Sequence, residues 1–238
     1  MNLAEKISEH TLHVLFPEEC SICGKDFIKN GLPLCSGCLA ETEENVYVER
    51  CEKCAEKLHK GQCSVCLSRT LYFQKGFFFW VYEGTEKELF MMAKFENRKK
   101  STKYLTEKAI VLFDEKINLN KFTILSLPSS NSFLRNILMT IAEKKNLRLY
   151  FPFSQKKKRQ SKTLDAKDRF LALKDSLSLK EELSWLDKKT KYLLFDDVWT
   201  TGATLNMAAK ILYDRGVPVK NIYTAAFFRR DKTQYEVQ

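Results

Sequence analysis

Residues 191–205 read KYLLFDDVWTTGATL, an order of residue types that is typical of a strand, a turn and a helix. The apolar run 192–195 predicts a short buried strand. Two adjacent carboxylates, Asp196 and Asp197, follow at the carboxyl end of this strand. Small residues then predict a turn. Apolar residues at helical spacing after it predict a helix that stops near Gly216.

The turn has the composition of a phosphate-binding loop. In an open α/β sheet, ligands bind beyond the carboxyl ends of the strands. A helix N-terminus at that place offers unpaired N–H groups and positive dipole charge. Glycine lets the backbone approach a phosphate closely, and threonine hydroxyls can donate further hydrogen bonds. The candidate phosphate-binding residues are Thr200, Thr201, Gly202, Ala203 and Thr204.

The two carboxylates predict a different part of the ligand, because their charges repel a phosphate. Asp196 and Asp197 suit sugar hydroxyls, which donate hydrogen bonds to carboxylates, or a magnesium ion. We therefore interpret them as candidate catalytic residues in a site for a ligand with a terminal phosphate and a ribose diol. The alternative is a strand, turn and helix with an acidic N-cap and no ligand, but the threonine-rich turn that follows in register favours the site.

Every cysteine of the chain lies upstream, in four C-x-x-C pairs between residues 20 and 66. Each pair can form a knuckle that offers two thiolates to one tetrahedral zinc ion. The reduced thiols of the cytoplasm argue against disulfides, and the spacing is not the dense one of iron–sulfur proteins. We predict two closed, structural zinc sites whose metal supplies folding energy. The simplest pairing joins Cys20, Cys23, Cys35 and Cys38 in one site, and Cys51, Cys54, Cys63 and Cys66 in the other.

Strands alternate with helices in the rest of the chain, which predicts an α/β fold with a parallel sheet. The predicted domains are residues 1–70, with an amphipathic helix at 1–16 and the cysteine pairs, and residues 71–238, with the sheet. The predicted strands are 77–82, 122–127, 148–153, 192–195 and 222–228, and the predicted helices are 86–95, 102–113, 133–142 and 165–177.

The chain is basic, with a formal net charge of +10, which favours an acidic partner. The densest positive segment, 155–162, includes Lys157, Lys158 and Arg159. With Arg135 they are candidates for a pyrophosphate or nucleic-acid contact. No apolar run reaches the length of a membrane-spanning helix, and the N-terminus lacks the pattern of a secretory signal. We therefore expect a cytoplasmic protein without membrane insertion.

Residues 193–205 resemble the ribose 5-phosphate signature of the type I phosphoribosyltransferases, with Trp199 at a position that tolerates variety. The resemblance implies that Asp196 and Asp197 hold the ribose hydroxyls and that the T-T-G-x-T turn holds the 5-phosphate. Together with the four cysteine pairs, the chain from Cys20 onward resembles the ComF family of competence proteins. That likeness implies a double zinc ribbon ahead of a Rossmann-like phosphoribosyltransferase domain, and magnesium with phosphoribosyl pyrophosphate. It also implies DNA uptake in natural transformation, with single-stranded DNA and DNA-uptake proteins as partners.

One departure from that family separates two functional hypotheses. Where the family has an arginine-rich turn near the pyrophosphate, residues 128–136 here read PSSNSFLRN, with Arg135 as their one charge. Pyrophosphate needs cations or magnesium, and the lysine-rich loop could supply them. The first hypothesis is a phosphoribosyltransferase, whose acceptor the sequence does not identify. The second is a non-catalytic module that binds a nucleotide or single-stranded DNA in the same phosphate pocket.

Overall fold

The computed structural model describes residues 18–27, 32–42, 49–155, 177–179 and 186–231. The predicted N-terminal helix, the basic loop and nearly all of the predicted helix 165–177 lie outside these residues. The chain divides into two compact units, Met1–Tyr47 with Glu83–Lys108 and Val48–Tyr82 with Ala109–Gln238. The domain boundary at residue 70 stays a prediction from the sequence. None of the helices in the described ranges has the length and hydrophobicity that crossing a bilayer requires.

The elements are numbered in chain order. The strands are β1 (Glu18–Glu19), β2 (Asp26–Phe27), β3 (Lys75–Val81), β4 (Thr123–Ser126), β5 (Arg148–Tyr150), β6 (Phe153–Gln155), β7 (Leu177–Leu179), β8 (Tyr192–Trp199) and β9 (Ile222–Arg229). The helices are α1 (Ser36–Glu41), α2 (Ser64–Ser68), α3 (Gly84–Phe95), α4 (Lys99–Lys116), α5 (Phe133–Lys145) and α6 (Ala203–Asp214). Single 3-10 turns lie at Leu119–Lys121 and Val219–Asn221.

The first unit contains the first four cysteines. Strands β1 and β2 pair antiparallel as a short hairpin, and helix α1 begins directly after Cys35. Helix α3 buries Leu89, Phe90 and Ala93, which lie on one side of the helix because they are one and four residues apart.

The second unit is built on a parallel sheet with the strand order β3-β9-β8-β4-β5. This arrangement confirms the predicted α/β class, with the cysteine-rich module ahead of the sheet. From β4 the chain continues to β5 on one side, whereas from β8 it continues to β9 on the other. The strand order therefore reverses between β4 and β8. In open α/β sheets, ligands bind in the crevice at such a switch point.

The sheet is covered on both faces, which is why its strands read as continuous apolar runs. Phe79, Phe113, Phe195 and Phe227 form one aromatic cluster, with ring centres of Phe79 and Phe113 4.5 Å apart. A second buried cluster joins β8 and α6 to the second cysteine group, and its members include Tyr192, Leu194, Trp199, Leu205, Cys54, Cys63 and Val65. The second cysteine group therefore shares its core with the sheet.

Two predicted strands differ from the structure by more than a shift of one or two residues at an end. The predicted strand 192–195 continues through both aspartates to Trp199, because β9 is long enough to pair with it up to Arg229. The predicted strand 148–153 is two strands, β5 in the main sheet and β6, which pairs antiparallel with β7. Pro152 lies between them, and its missing N–H is incompatible with a continuous ladder. Leu177, the predicted end of a helix, begins strand β7.

Candidate phosphate site and metal centres

The T-T-G-x-T turn connects β8 to α6 at the carboxyl edge of the sheet. Gly202 is the N-cap of α6, with a left-handed φ of +71°, and its carbonyl accepts the first helical hydrogen bond from the Asn206 N–H at 2.9 Å. The Ala203 N–H donates to Thr201 Oγ1 at 3.3 Å. Thr200 is exposed, and Thr201 and Thr204 are half-buried. The turn therefore combines threonine hydroxyls with a helix N-terminus, groups that suit an anion.

Trp199 packs directly beneath this turn. A Cβ atom built on Gly202 would lie 2.3 Å from Trp199 Nε1, and one on Gly76 would lie 2.3 Å from Trp199 Cη2. The ring of Phe73 meets the indole edge-on, with 5.9 Å between ring centres. Trp199 itself is 2% exposed. The indole therefore supports the turn and leaves room only for glycine at position 202.

The two candidate acids have different environments. Side chains of consecutive strand residues point to opposite faces, so Asp196 and Asp197 diverge. Asp197 is 8% exposed, and its Oδ2 accepts a hydrogen bond from Ser129 Oγ at 3.2 Å. Asp196 is more exposed, and its Oδ1 accepts from the Asp197 N–H at 2.8 Å. Because Ser129 follows β4, this bond joins the loop after β4 to strand β8 across the switch point.

Of the predicted pyrophosphate residues, the structure describes only Arg135. Arg135 is exposed on α5, and its guanidinium lies 4.2 Å from the centre of the Phe151 ring, a cation–π contact. Arg135 therefore contacts the segment between β5 and β6. Lys157, Lys158 and Arg159 lie outside the described residues.

A buried arginine at the end of β9 supports the turn from below. Arg229 is 2% exposed, and its Nη1 donates to the carbonyls of Thr200 at 2.6 Å and of Trp199 at 3.3 Å. Its Nη2 donates to Glu56 Oε2 at 2.6 Å. Burial lowers the pKa of Arg229, and the charges of Glu56 and Asp231 oppose that shift. A buried guanidinium of this kind is tolerable because it is paired and hydrogen-bonded.

Residues that follow the last cysteine are tied to the same turn. Arg69 Nη2 donates to the Thr201 carbonyl, and burial lowers the pKa of this arginine. Asn206, in the first turn of α6, is 2% exposed; its Oδ1 accepts from the Tyr72 N–H at 2.9 Å, and its Nδ2 donates to the Thr70 carbonyl at 3.0 Å. Sequence reasoning missed Arg69, Arg229 and Asn206, because no local pattern marks residues whose partners are so distant.

The cysteines assemble in the predicted pairing. The Sγ atoms of each group all lie within 4.8 Å of one another, and the groups are Cys20, Cys23, Cys35 and Cys38, and Cys51, Cys54, Cys63 and Cys66. Sulfur–sulfur distances are 3.7 Å for Cys23–Cys35 and 3.6 Å for Cys51–Cys66. A tetrahedral ion with Zn–S bonds of about 2.3 Å has sulfur atoms about 3.8 Å apart, so both groups fit zinc.

The thiol environments also fit a metal site. Although burial opposes ionisation of Cys20, backbone hydrogen bonds from Cys23, Cys35 and Ile22 outweigh it and lower the pKa of the Cys20 thiol to about 6. Burial raises the pKa of the Cys54 thiol, and neighbouring sulfurs raise it further. Neighbouring thiolates repel one another, so such closely packed thiols cannot all ionise easily. A divalent cation among them offsets this repulsion. Four thiolates leave no open coordination position, so these are structural sites.

One comparison with known proteins concerns the cysteine-rich part. Residues 11–69 match the double zinc ribbon domain family. No curated protein matches the chain. Together with the two four-cysteine groups, the match supports two structural zinc ions in a double zinc ribbon.

Several solved structures are similar to part of the chain at low identity. The Helicobacter pylori xanthine-guanine-hypoxanthine phosphoribosyltransferase is 13% identical, with a TM-score of 0.38, over 57% of this chain and 86% of that one. The purine phosphoribosyltransferase of Pyrococcus horikoshii is 14% identical, with a TM-score of 0.35, over 54% of this chain and 85% of that one. The Trypanosoma brucei adenine phosphoribosyltransferase is 11% identical, with a TM-score of 0.36, over 61% of this chain and 69% of that one.

Proposed function

We propose that the chain binds the ribose 5-phosphate part of phosphoribosyl pyrophosphate and is a phosphoribosyltransferase whose acceptor is still to be identified. One observation carries the proposal: Asp196 and Asp197 lie in the carboxyl-terminal half of β8, and the T-T-G-x-T turn follows that strand directly, beside the switch point of the sheet. A phosphate at the turn would receive hydrogen bonds from the helix N-terminus and the threonine hydroxyls. The neighbouring carboxylates would accept hydrogen bonds from the ribose hydroxyls.

Magnesium is the metal that this proposal implies. Carboxylate oxygens such as those of Asp196 are the hard ligands that magnesium takes from proteins, usually alongside substrate phosphates. When bound, the ion would neutralise the negative charge of pyrophosphate. The residues of the chain would hold the ribose and its phosphate in place, and positioning of this kind supplies much of the catalysis in group-transfer reactions.

A second candidate is a non-catalytic protein that binds a nucleotide or single-stranded DNA with the same turn. The observation in its favour is the loop after β4, where Ser129 contacts Asp197 and Asn131 Oδ1 accepts from the Phe133 N–H at 3.2 Å. Those side chains carry no positive charge, and Arg135 is engaged by Phe151. A role in DNA uptake of the kind found in ComF proteins belongs to this candidate as much as to the enzyme.

Turnover of phosphoribosyl pyrophosphate separates the two candidates. The purified chain is incubated with labelled phosphoribosyl pyrophosphate, magnesium and a panel of bases and amines, and release of pyrophosphate is measured. Release that disappears when Asp196 and Asp197 are changed to asparagine supports the enzyme. The matched control is Asp214→Asn, which alters a carboxylate paired with Lys210 at the far end of α6. Tight binding without pyrophosphate release would favour the binding module.

A further inference from the structure

Two arginines hold the backbone of the phosphate turn from the side of the second zinc ribbon. Arg229 donates to the carbonyls of Trp199 and Thr200, and Arg69 donates to the carbonyl of Thr201. In a planar trans peptide, the C=O and the following N–H point in opposite directions. The N–H groups of Thr201 and Gly202 are therefore turned away from the arginines. These are the donors that an anion at the turn would need.

The second zinc ribbon in turn sets where both arginines lie. Glu56, the carboxylate partner of Arg229, is two residues beyond Cys54, and its carbonyl accepts from the Cys51 N–H at 2.8 Å. Arg69 is three residues beyond Cys66, and its N–H donates to the Val65 carbonyl at 3.3 Å. Glu56 and Arg69 therefore follow closely after the knuckles that the second zinc ion would close.

A further ion-pair cluster ties the same ribbon to the end of β9. Asp231 accepts hydrogen bonds from both Nη atoms of Arg50 at 2.8 Å, one on each oxygen, and Lys57 Nζ lies 2.9 Å from Oδ2, which Arg50 Nη2 also contacts. Burial opposes ionisation of Asp231, but these two cations outweigh it and lower its pKa. Arg50 and Lys57 face each other in a β-bridge that encloses Cys51 and Cys54. Ribbon and turn are thus linked through charged groups as well as a shared core.

We propose that the second zinc ribbon holds the T-T-G-x-T turn in the conformation that binds its ligand. Arg229 and Arg69 are the positioning residues, and zinc at the second site fixes where they lie. The inference rests on the proposed function for the identity of the ligand. It predicts that affinity for ribose 5-phosphate depends on zinc at Cys51, Cys54, Cys63 and Cys66, and that zinc in the first ribbon has no such effect.

The chain supplies a matched pair of variants. Cys51→Ser with Cys66→Ser removes two neighbouring, partly exposed ligands from the second site, and Cys23→Ser with Cys35→Ser does the same in the first. Hydrogen exchange of the turn, residues 199–206, is measured in the full chain. We expect faster exchange in the second-site variant and wild-type exchange in the first-site variant. Because no ligand is added, this readout holds whatever the ligand of the turn is.

Linkage provides a readout that a purely structural role would not move. If zinc at the second site raises the affinity for ribose 5-phosphate, ribose 5-phosphate must raise the zinc affinity by the same factor. Each double variant keeps one zinc ion and so reports on one site. In a chelator titration, ribose 5-phosphate should protect the zinc of the first-site variant, by a factor within the typical range of about 5 to 150. It should leave the zinc of the second-site variant unprotected.

Glu56→Gln tests the coupling in a chain that keeps both zinc ions. It removes the negative charge that pairs with Arg229 but retains the shape of the side chain. Two bound zinc ions, faster exchange at 199–206 and about tenfold weaker binding of ribose 5-phosphate would support the inference. Wild-type exchange and affinity in this variant, or equal effects of the two cysteine pairs, would overturn it. If the wild-type chain does not bind ribose 5-phosphate, the proposed function fails, and the exchange measurements alone decide the coupling.

Discussion

Replacing Gly202 by alanine tests how closely Trp199 packs beneath the phosphate turn. The φ angle of +71° costs a non-glycine residue about 1–2 kcal/mol. The new Cβ would lie 2.3 Å from Trp199 Nε1, and the indole is too buried to move freely. Overpacking of that kind costs a further 1–3 kcal/mol or so. We expect a loss of about 2–5 kcal/mol in the free energy of unfolding of the second unit, together with weaker phosphate binding.

Gly61→Ala is the matched control for this prediction. Gly61 has nearly the same φ, +74°, but a Cβ there would meet nothing within 4 Å. The free energy of unfolding of Gly61→Ala should therefore fall only by the cost of the backbone conformation, about 1–2 kcal/mol. Urea denaturation of both zinc-loaded variants gives the difference, and adding Trp199→Phe to Gly202→Ala should recover part of the loss. Equal destabilisation by the two glycine changes, with no recovery, would refute the packing argument.

Three further predictions concern the metal sites and the contacts around them. Metal analysis of the purified chain should give close to two zinc ions, and a folded double ribbon without metal would contradict this. Arg229→Met alone or Glu56→Ala alone should lower the free energy of unfolding by about 3–5 kcal/mol, because each leaves a buried charge unpaired. Both changes together should cost less than the sum of the two, which a double-mutant cycle measures. Because the pKa of Asp231 is lowered in the folded state, its stabilisation is complete above about pH 4 and is lost as the pH falls through the folded-state value. The stability difference between wild type and Asp231→Asn should therefore shrink below pH 4, and a constant difference would refute that assignment.

The parts of the site that were predictable are those that local sequence encodes. The strand, turn and helix around Gly202 follow one another without interruption, so residue types alone place the turn at a strand end. The cysteine groups are predictable for the same reason, because each knuckle is closed by residues three apart in the sequence. In both cases the chemistry lies within a few residues.

The supporting contacts were not predictable because they join distant parts of the chain. Arg229 and Glu56 are separated by 173 residues, and Arg69 and Thr201 by 132. An arginine at a strand end is usually exposed, so the sequence does not predict its burial. Only the tertiary fold buries Arg229. The supporting role of Trp199 was also not predictable, because the indole packs against Gly76 in another strand.

The length of β8 shows a further limit of local patterns. Two adjacent aspartates normally end a strand, so the sequence predicts a strand that stops at residue 195. Pairing with β9 overrides that preference, because Asp196 lies opposite Ala226 and Trp199 lies opposite Arg229. Consequently, the two carboxylates lie on opposite faces of a strand. Ser129 reaches one of them from the loop after β4.

Binding of ribose 5-phosphate and of 2-deoxyribose 5-phosphate, compared by calorimetry, tests the central claim most directly. The two ligands share the phosphate that the turn would bind. They differ only in the 2-hydroxyl, which would donate a hydrogen bond to a carboxylate. We predict that the wild-type chain binds ribose 5-phosphate more tightly, and that Asp196→Asn with Asp197→Asn removes this preference while both ligands still bind. Equal affinities of the wild-type chain for the two sugars, or a preference that survives the double change, would contradict the assignment.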